Sequence, residues 1–298
     1  MIAVQDLRPG DRADAFAMLA ALHRIGGMAP AHRGLYAQLA LAAGDDALAA
    51  ALLDEGVPDP VGTALRVDLG GPGWIERFTA LLPPPALSIA DGALQRFDRI
   101  VPGAAQRIGN PDRITTIVAA HDPGPALLTA VRSLVAQSWT NHEILLVGPG
   151  AGYDRVAALD PRVRIIPSDA HAARNAGLDA ATGDFVTFCD PDGWCHPLRL
   201  ERQVAPLRAD PAVAATTSDG MAVTADLRIS QVGNAQICSA NPSSLMIRRE
   251  RVLSTVGHLH PVRRGAFEEY AERILAVLGR DAVRHLGGAP LALIRRPA

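Results

Sequence analysis

Between Ile114 and Cys189 the chain alternates short, almost wholly apolar runs with helical segments, and this alternation limits the fold more than any other feature. The runs are ITTIVAA, EILLV, RVRII and DFVTFC; between them lie ALLTAVRSLVAQ, YDRVAAL and HAARNAGLDAATG. Continuous apolar strands separated by helical patterns predict a mainly parallel sheet covered on both faces, an α/β architecture. Open parallel sheets gather ligands beyond the carboxyl ends of their strands. Here those ends carry His121-Asp122, the loop GPGAGYD, and Ser168-Asp169 with His171, Arg174 and Asn175 in the next segment. The last end carries Asp190 and Asp192. An arginine, carboxylates and a glycine-rich loop on one edge point to a ligand bearing phosphate or nucleotide.

Composition narrows the classes further. With 298 residues, 48% hydrophobic and 20% charged, the chain can bury a large core and is not disordered. A net charge of -2 supplies no electrostatic reason for nucleic acid or an anionic membrane surface. No apolar run has membrane-spanning length, and MIAVQDLRPGDR lacks a basic region followed by a hydrophobic one, so a cytoplasmic location is expected. All 29 basic residues are arginine. Without lysine there is no Walker A loop, Schiff-base lysine or pyridoxal phosphate anchor. Cys189, Cys195 and Cys238 form no CxxC pair, so no disulfide framework is expected. A zinc site of Cys189, Cys195 and His196 matches no familiar spacing.

Residues 1–105 read differently. DAFAMLAALHRIGGM, GLYAQLALAAGDDALAAALLDEG and GPGWIERFTALL carry apolar residues at three- and four-residue spacing, broken at Gly26-Gly27, at Gly44-Asp45-Asp46 and at Gly56 with Pro58. This predicts a small all-helical domain of hairpin or repeat-like helices over 1–105, followed by an α/β domain over 106–298. PPPALSIADG and PGAAQRIGNPDR read as the connection.

From these residues a family resemblance emerges. ITTIVAAHDPGPALLTAVRSLVAQSWTNHEILLV resembles the opening of family 2 glycosyltransferases of the GT-A fold. HAARNAGLDAATGDFVTFCDPDGWCHPLRLERQV resembles their central segment, where an arginine-asparagine pair precedes a D-x-D-type motif. NPSSLMIRRERVLSTVG and RRGAFEEYAERI resemble the distal part, where the acceptor site is built. The likeness runs from about Ile114 to Arg296 and leans towards bacterial enzymes of capsular and other envelope polysaccharides. It implies inverting transfer of a sugar from a nucleotide-sugar to a glycan or natural-product acceptor, assisted by Mg²⁺ or Mn²⁺. By the same resemblance Asp190 and Asp192 hold the metal and diphosphate; Arg174 and Asn175 lie near the nucleotide, and His121 and Asp122 line its base. Trp194 walls the sugar pocket, Asn241, Ser243 and Ser244 sit by sugar or acceptor, and Glu268 or Glu269 serves as the base.

Three positions depart from the family pattern. Gly148 and Pro149 stand where a pair of aspartates usually ends the second strand. Asp190-Pro191-Asp192-Gly193 replaces D-x-D-D, and Phe267 stands at the catalytic-base aspartate. A second reading therefore stays open: an inactive GT-A pseudoenzyme that binds another glycosyltransferase, with the helical N-terminal domain docking the protein partner. GPGAGYD also admits a dinucleotide fingerprint, with Gly148 and Gly150 in its first two positions and Asp169 as the ribose acid. Tyr153 in place of the third glycine opposes it. His258 and His260 fall at no motif position and read as surface or packing residues.

Overall fold

The computed structural model describes residues 9–26, 28–169, 172–234, 236–262 and 265–296. Among these, residues up to Leu81 together with Ala222–Ile237 form one compact unit, and Leu82–Met221 with Cys238–Arg296 form the other.

The first unit is helical: α1 (Pro9–Arg24), α2 (Pro30–Ala42), α3 (Asp46–Asp54), α4 (Val61–Asp68) and α5 (Trp74–Thr79). The breaks fall where glycine and aspartate predict them. Asp45 caps α3 by accepting from the Leu48 amide at 3.0 Å. Tyr36, Leu39, Leu52, Leu53 and Leu65 build its core. The 222–237 segment belongs here as well. The Asp68 carboxylate accepts from the amides of Ile229 and Ser230, and Gln38 bonds to the backbone of Gly233 and Asn234. The two-turn helix α4 and this inserted segment carry no periodic signal long enough to be read from sequence.

The second unit opens with a small hairpin, β1 (Ser88–Ile89) antiparallel to β2 (Ile100–Val101), so the helical character does not continue to 105. Then follow β3 (Ile114–Ala119), α6 (Pro125–Val135), β4 (His142–Gly148), α7 (Asp154–Ala157), β5 (Val163–Pro167), α8 (Ala173–Ala180) and β6 (Phe185–Phe188). After them come β7 (Trp194–Cys195), α9 (Arg199–Ala209), β8 (Ala215–Val223), β9 (Cys238–Arg248), α10 (Arg249–Thr255), α11 (Ala266–Leu278), β10 (Val283–Leu286) and β11 (Ala292–Arg295). The sheet runs β5-β4-β3-β6-β9-β8-β11-β7, with β10 beside β8.

The expected parallel sheet is present as β5-β4-β3-β6. Beyond β6 the sheet is mixed, because β9 runs antiparallel to both β6 and β8. Period-two alternation splits the core: Ile144 and Leu146 of β4 face α6, whereas Leu145 and Val147 face α8 and α11. Gly177 lets α8 approach β3 closely, since a Cβ there would lie 2.6 Å from a methyl of Ile117. No helix among the described residues is long and apolar enough to cross a membrane.

Candidate active site at the carboxyl edge of the sheet

The acidic turn leaves the end of β6 and is held at both ends. The Gly193 amide donates to the Asp190 carbonyl at 3.1 Å, and β7 pairs with β11 through Trp194 and Leu293. Asp190 is half-buried, and its Oδ2 accepts from the Ser243 hydroxyl at 2.6 Å. Ser243 Oγ also lies 2.8 Å from Asn241 Oδ1. A hydroxyl has one proton, so it serves the carboxylate, and the asparagine contact is satisfied with its amide nitrogen turned towards Ser243. Asp192 lies on the exposed rim. Partial desolvation, reinforced by the charge of Asp190, pushes its carboxyl above the usual range, while Arg295 pulls the other way. A carboxylate raised by burial and by a second carboxylate beside it is the setting that a divalent cation relieves.

Mg²⁺ and similar ions take one or two protein carboxylates and complete their shell with substrate phosphates and water. The Asp190-Asp192 turn fits that donor set. His196 does not join it: its Nε2 bonds to the Pro83 carbonyl and its Nδ1 accepts from the Leu198 amide. No cluster of three or more metal-ligating side chains occurs among the described residues.

His121 and Asp122 follow β3 and are exposed beside the end of β4. Gly148 shows why no aspartate stands there. A Cβ at this position would lie 2.1 Å from the Ala120 carbonyl oxygen and 2.6 Å from the Tyr153 hydroxyl. Tyr153 is fully buried and donates to that carbonyl at 2.6 Å. Burial, with Asp122 adding its charge, raises the phenol pKa. The tyrosine that disrupts the dinucleotide fingerprint thus occupies the floor of this corner. Asp169, the proposed ribose acid of that fingerprint, accepts from the Ala172 amide at 2.8 Å. His171 lies outside the described residues.

Arg174, in the first turn of α8, places its guanidinium 5.0 Å from the Phe267 ring centroid; Phe267 in turn packs 4.9 Å from the Phe188 ring. Phe267 is buried and belongs to the apolar core. Its neighbours diverge. Glu269 is gripped by Arg273 at 2.8 and 3.1 Å and faces His260 at 3.2 Å; the Arg273 hydrogen bond leads in lowering its proton affinity. Glu268 is exposed and forms no ion pair among the described residues. His258 pairs with Asp179 at 2.8 Å.

Three expected site residues do structural work. The Asn175 side chain both donates to and accepts from the backbone of Leu259, tying α8 to the loop before α11. Ser244 is fully buried and accepts from the Ser218 amide at 2.8 Å, linking β9 to β8. Trp194 is 1% exposed and packs edge-on against His196, although it also borders a small cavity with Asp190 and Ser243. Sequence reading missed Arg295, whose charge reaches Asp192 from the last strand, and Tyr153 as a space-filling residue. A lone arginine near the chain end carries no motif. The Tyr153 signal was visible as the misfit in the glycine pattern.

The sequence profile of Glycosyl transferase family 2 matches residues 115–271, a span that runs from β3 through the acidic turn into α11. The chain belongs to this family. Succinoglycan biosynthesis protein ExoO of Rhizobium meliloti (strain 1021) is 36% identical over 121 residues, covering 38% of this chain and 34% of that protein. Glycosyltransferase YibD of Escherichia coli (strain K12), described as uncharacterized, is 29% identical over 103 residues, 32% of this chain and 30% of that one. The chain thus spans about a third of the length of these curated relatives. Among solved structures, glucosyl-3-phosphoglycerate synthase from Mycobacterium tuberculosis in complex with phosphoglyceric acid aligns at 17% identity with a TM-score of 0.46. That alignment covers 63% of this chain and 74% of that one. Within this family 2 chain, Gly148 and Phe267 are packed into the fold rather than left as open gaps.

Proposed function

We propose that this chain binds a nucleotide-sugar at the carboxyl edge of β3, β4 and β6 and transfers the sugar, with inversion, to a hydroxyl of a glycan or small-molecule acceptor. The observation that carries the reading is the acidic turn: Asp190 oriented by Ser243, with Asp192 beside it, at the end of the strand next to β3. Asp190 and Asp192 hold Mg²⁺ or Mn²⁺ in this reading. A cation held there would supply charge stabilisation to the leaving diphosphate.

His121 and Asp122 border the nucleobase, Arg174 faces the nucleotide, and Asn241 and Ser243 face the sugar. Glu268 takes the acceptor proton, because Glu269 is neutralised by Arg273 and Phe267 has no basic group. Such a base contributes roughly 10²–10⁴-fold in rate. The names of the relatives support bacterial polysaccharide biosynthesis as the setting. The test is release of nucleoside diphosphate from a panel of UDP-, GDP-, CDP- and TDP-sugars with Mn²⁺. Turnover of one donor, lost in Asp192→Ala, is expected; absence of both binding and turnover with every donor contradicts the proposal.

A second reading rests on Phe267: with its ring buried at the base position, the domain binds donor without turning it over, and the helical unit docks a protein partner. It predicts nucleotide binding with no diphosphate release from any donor, and the same nucleotide affinity in Glu268→Gln.

A further inference from the structure

Two cysteines bracket the acidic turn, and their surroundings differ from those of inert core thiols. Cys189 and Cys195 are 6% and 2% exposed, and their sulfurs lie 3.4 Å apart. The Arg199 guanidinium, itself 1% exposed, reaches Cys195 Sγ with Nη1 at 2.9 Å. Its remaining partners are neutral: Gln203 Oε1, Thr187 Oγ1 and the carbonyls of Phe188 and Ser244. Arg199 makes no salt bridge with a carboxylate among the described residues, although Asp190 borders the same small cavity, and a buried guanidinium is stabilised by an anion in contact with it. The sulfur of Cys195 is the ionisable group in direct contact with the guanidinium. Both sulfurs border a cavity with room for about one water molecule.

We propose that Cys189 and Cys195 form a redox-active pair, with Cys195 as the peroxide-reactive thiolate and Cys189 as the resolving thiol. The contact with Cys189 and the guanidinium of Arg199, against opposing burial, hold the proton affinity of Cys195 below that of an ordinary thiol. Cation binding between the sulfurs is disfavoured, since the ion would sit against the guanidinium.

The reaction balances with a small peroxide as oxidant. The Cys195 thiolate attacks one peroxide oxygen, the O–O bond breaks, and hydroxide leaves to become water on taking a proton. Cys189 then attacks the sulfenic sulfur; the S–S bond forms, the S–O bond breaks, and the second water departs with the Cys189 proton. The sulfurs close from 3.4 Å to about 2.05 Å, which draws the two ends of the Asp190-Asp192 turn together.

The test uses the full chain carrying Cys238→Ser, treated with hydrogen peroxide in its folded state. The expected product is lighter by about 2 mass units, contains a Cys189–Cys195 crosslinked peptide, and reverts with dithiothreitol. Adding Cys189→Ser traps a sulfenic acid at Cys195 that dimedone captures. With Cys195→Ser instead, labelling of Cys189 is slower by at least about tenfold. Circular dichroism confirms that both variants fold. The proposal is overturned if the folded protein stays unmodified while the urea-unfolded chain reacts, or if Cys189 is the faster-labelled thiol. Because the readout is the thiols alone, it stands or falls separately from donor binding.

Discussion

Replacing Gly148 by aspartate restores, on paper, the nucleobase carboxylate expected at the end of β4. The structure predicts that it unfolds this corner instead. The new Cβ meets the Ala120 carbonyl oxygen at 2.1 Å, where real contacts almost never fall below 3.0 Å, so the end of β3 must move by close to an ångström. Such overpacking costs about 1–3 kcal/mol. The same Cβ lies 2.6 Å from the Tyr153 hydroxyl, which must leave its bond to Ala120; a buried carbonyl without its donor adds about 1–3 kcal/mol. The sum is about 2–6 kcal/mol, or a fall in melting temperature of roughly 5–20 °C for a unit of this size. Thermal and urea denaturation followed by circular dichroism measure it. Tyr153→Phe is the control: it removes only the hydrogen bond and should cost about 1–3 kcal/mol. A Gly148→Asp protein as stable as the parent, or one that gains uridine nucleotide affinity without loss of stability, refutes the reasoning.

Further outcomes follow from other contacts. His142 is buried with Nε2 at 2.8 Å from Thr116 Oγ1, and burial holds its pKa down at about 3; His196 is likewise held at about 4, mainly by burial. Both folded values lie below the unfolded value of 6.5, so the stability they confer is complete above pH 6.5 and is lost as pH falls towards the folded values. Between pH 7.5 and 5 the loss is about 2 kcal/mol per histidine, read by urea denaturation, and His142→Gln removes about half of that dependence. Ser243→Ala strips Asp190 of its 2.6 Å donor and should weaken Mn²⁺ binding about 10–100-fold with little change in melting temperature. In a protein that turns over a donor, Glu268→Gln lowers kcat by roughly 10²–10⁴ and leaves nucleotide affinity unchanged; an equal effect from Glu269→Gln contradicts the assignment.

What the sequence disclosed depended on how local the deciding force was. The strands β3, β4 and β6 are buried on both faces and mostly apolar, so their burial is local in the sequence, and the four-stranded parallel half follows. The mixed half depends on β9 pairing across the sheet with β6 and β8, a non-local choice that no periodicity in CSANPSSLMIR announces. The candidate site shows the same division. Asp190 and Asp192 were legible because an apolar run ends abruptly in acids; Ser243 was legible through its motif. Ser244, one residue on, points the other way simply because side chains alternate along a strand, and it bonds β8 instead of facing the acidic turn. Asn175 reads as a ligand beside Arg174 until the loop at Leu259, distant in sequence, takes both ends of its amide. Tyr153 looked like a defect in a glycine pattern, and only packing reveals that it fills the space an aspartate would need.

The most direct test of the account is calorimetric titration of Mn²⁺ into the full chain with UDP or GDP present, repeated with Asp192→Ala. Saturable binding of about one Mn²⁺ per chain is expected in the parent for at least one nucleotide, with its loss in the variant, since two carboxylates, the diphosphate and water would make up the cation's shell. Equal binding in parent and variant, or none in either with any nucleoside diphosphate, contradicts it.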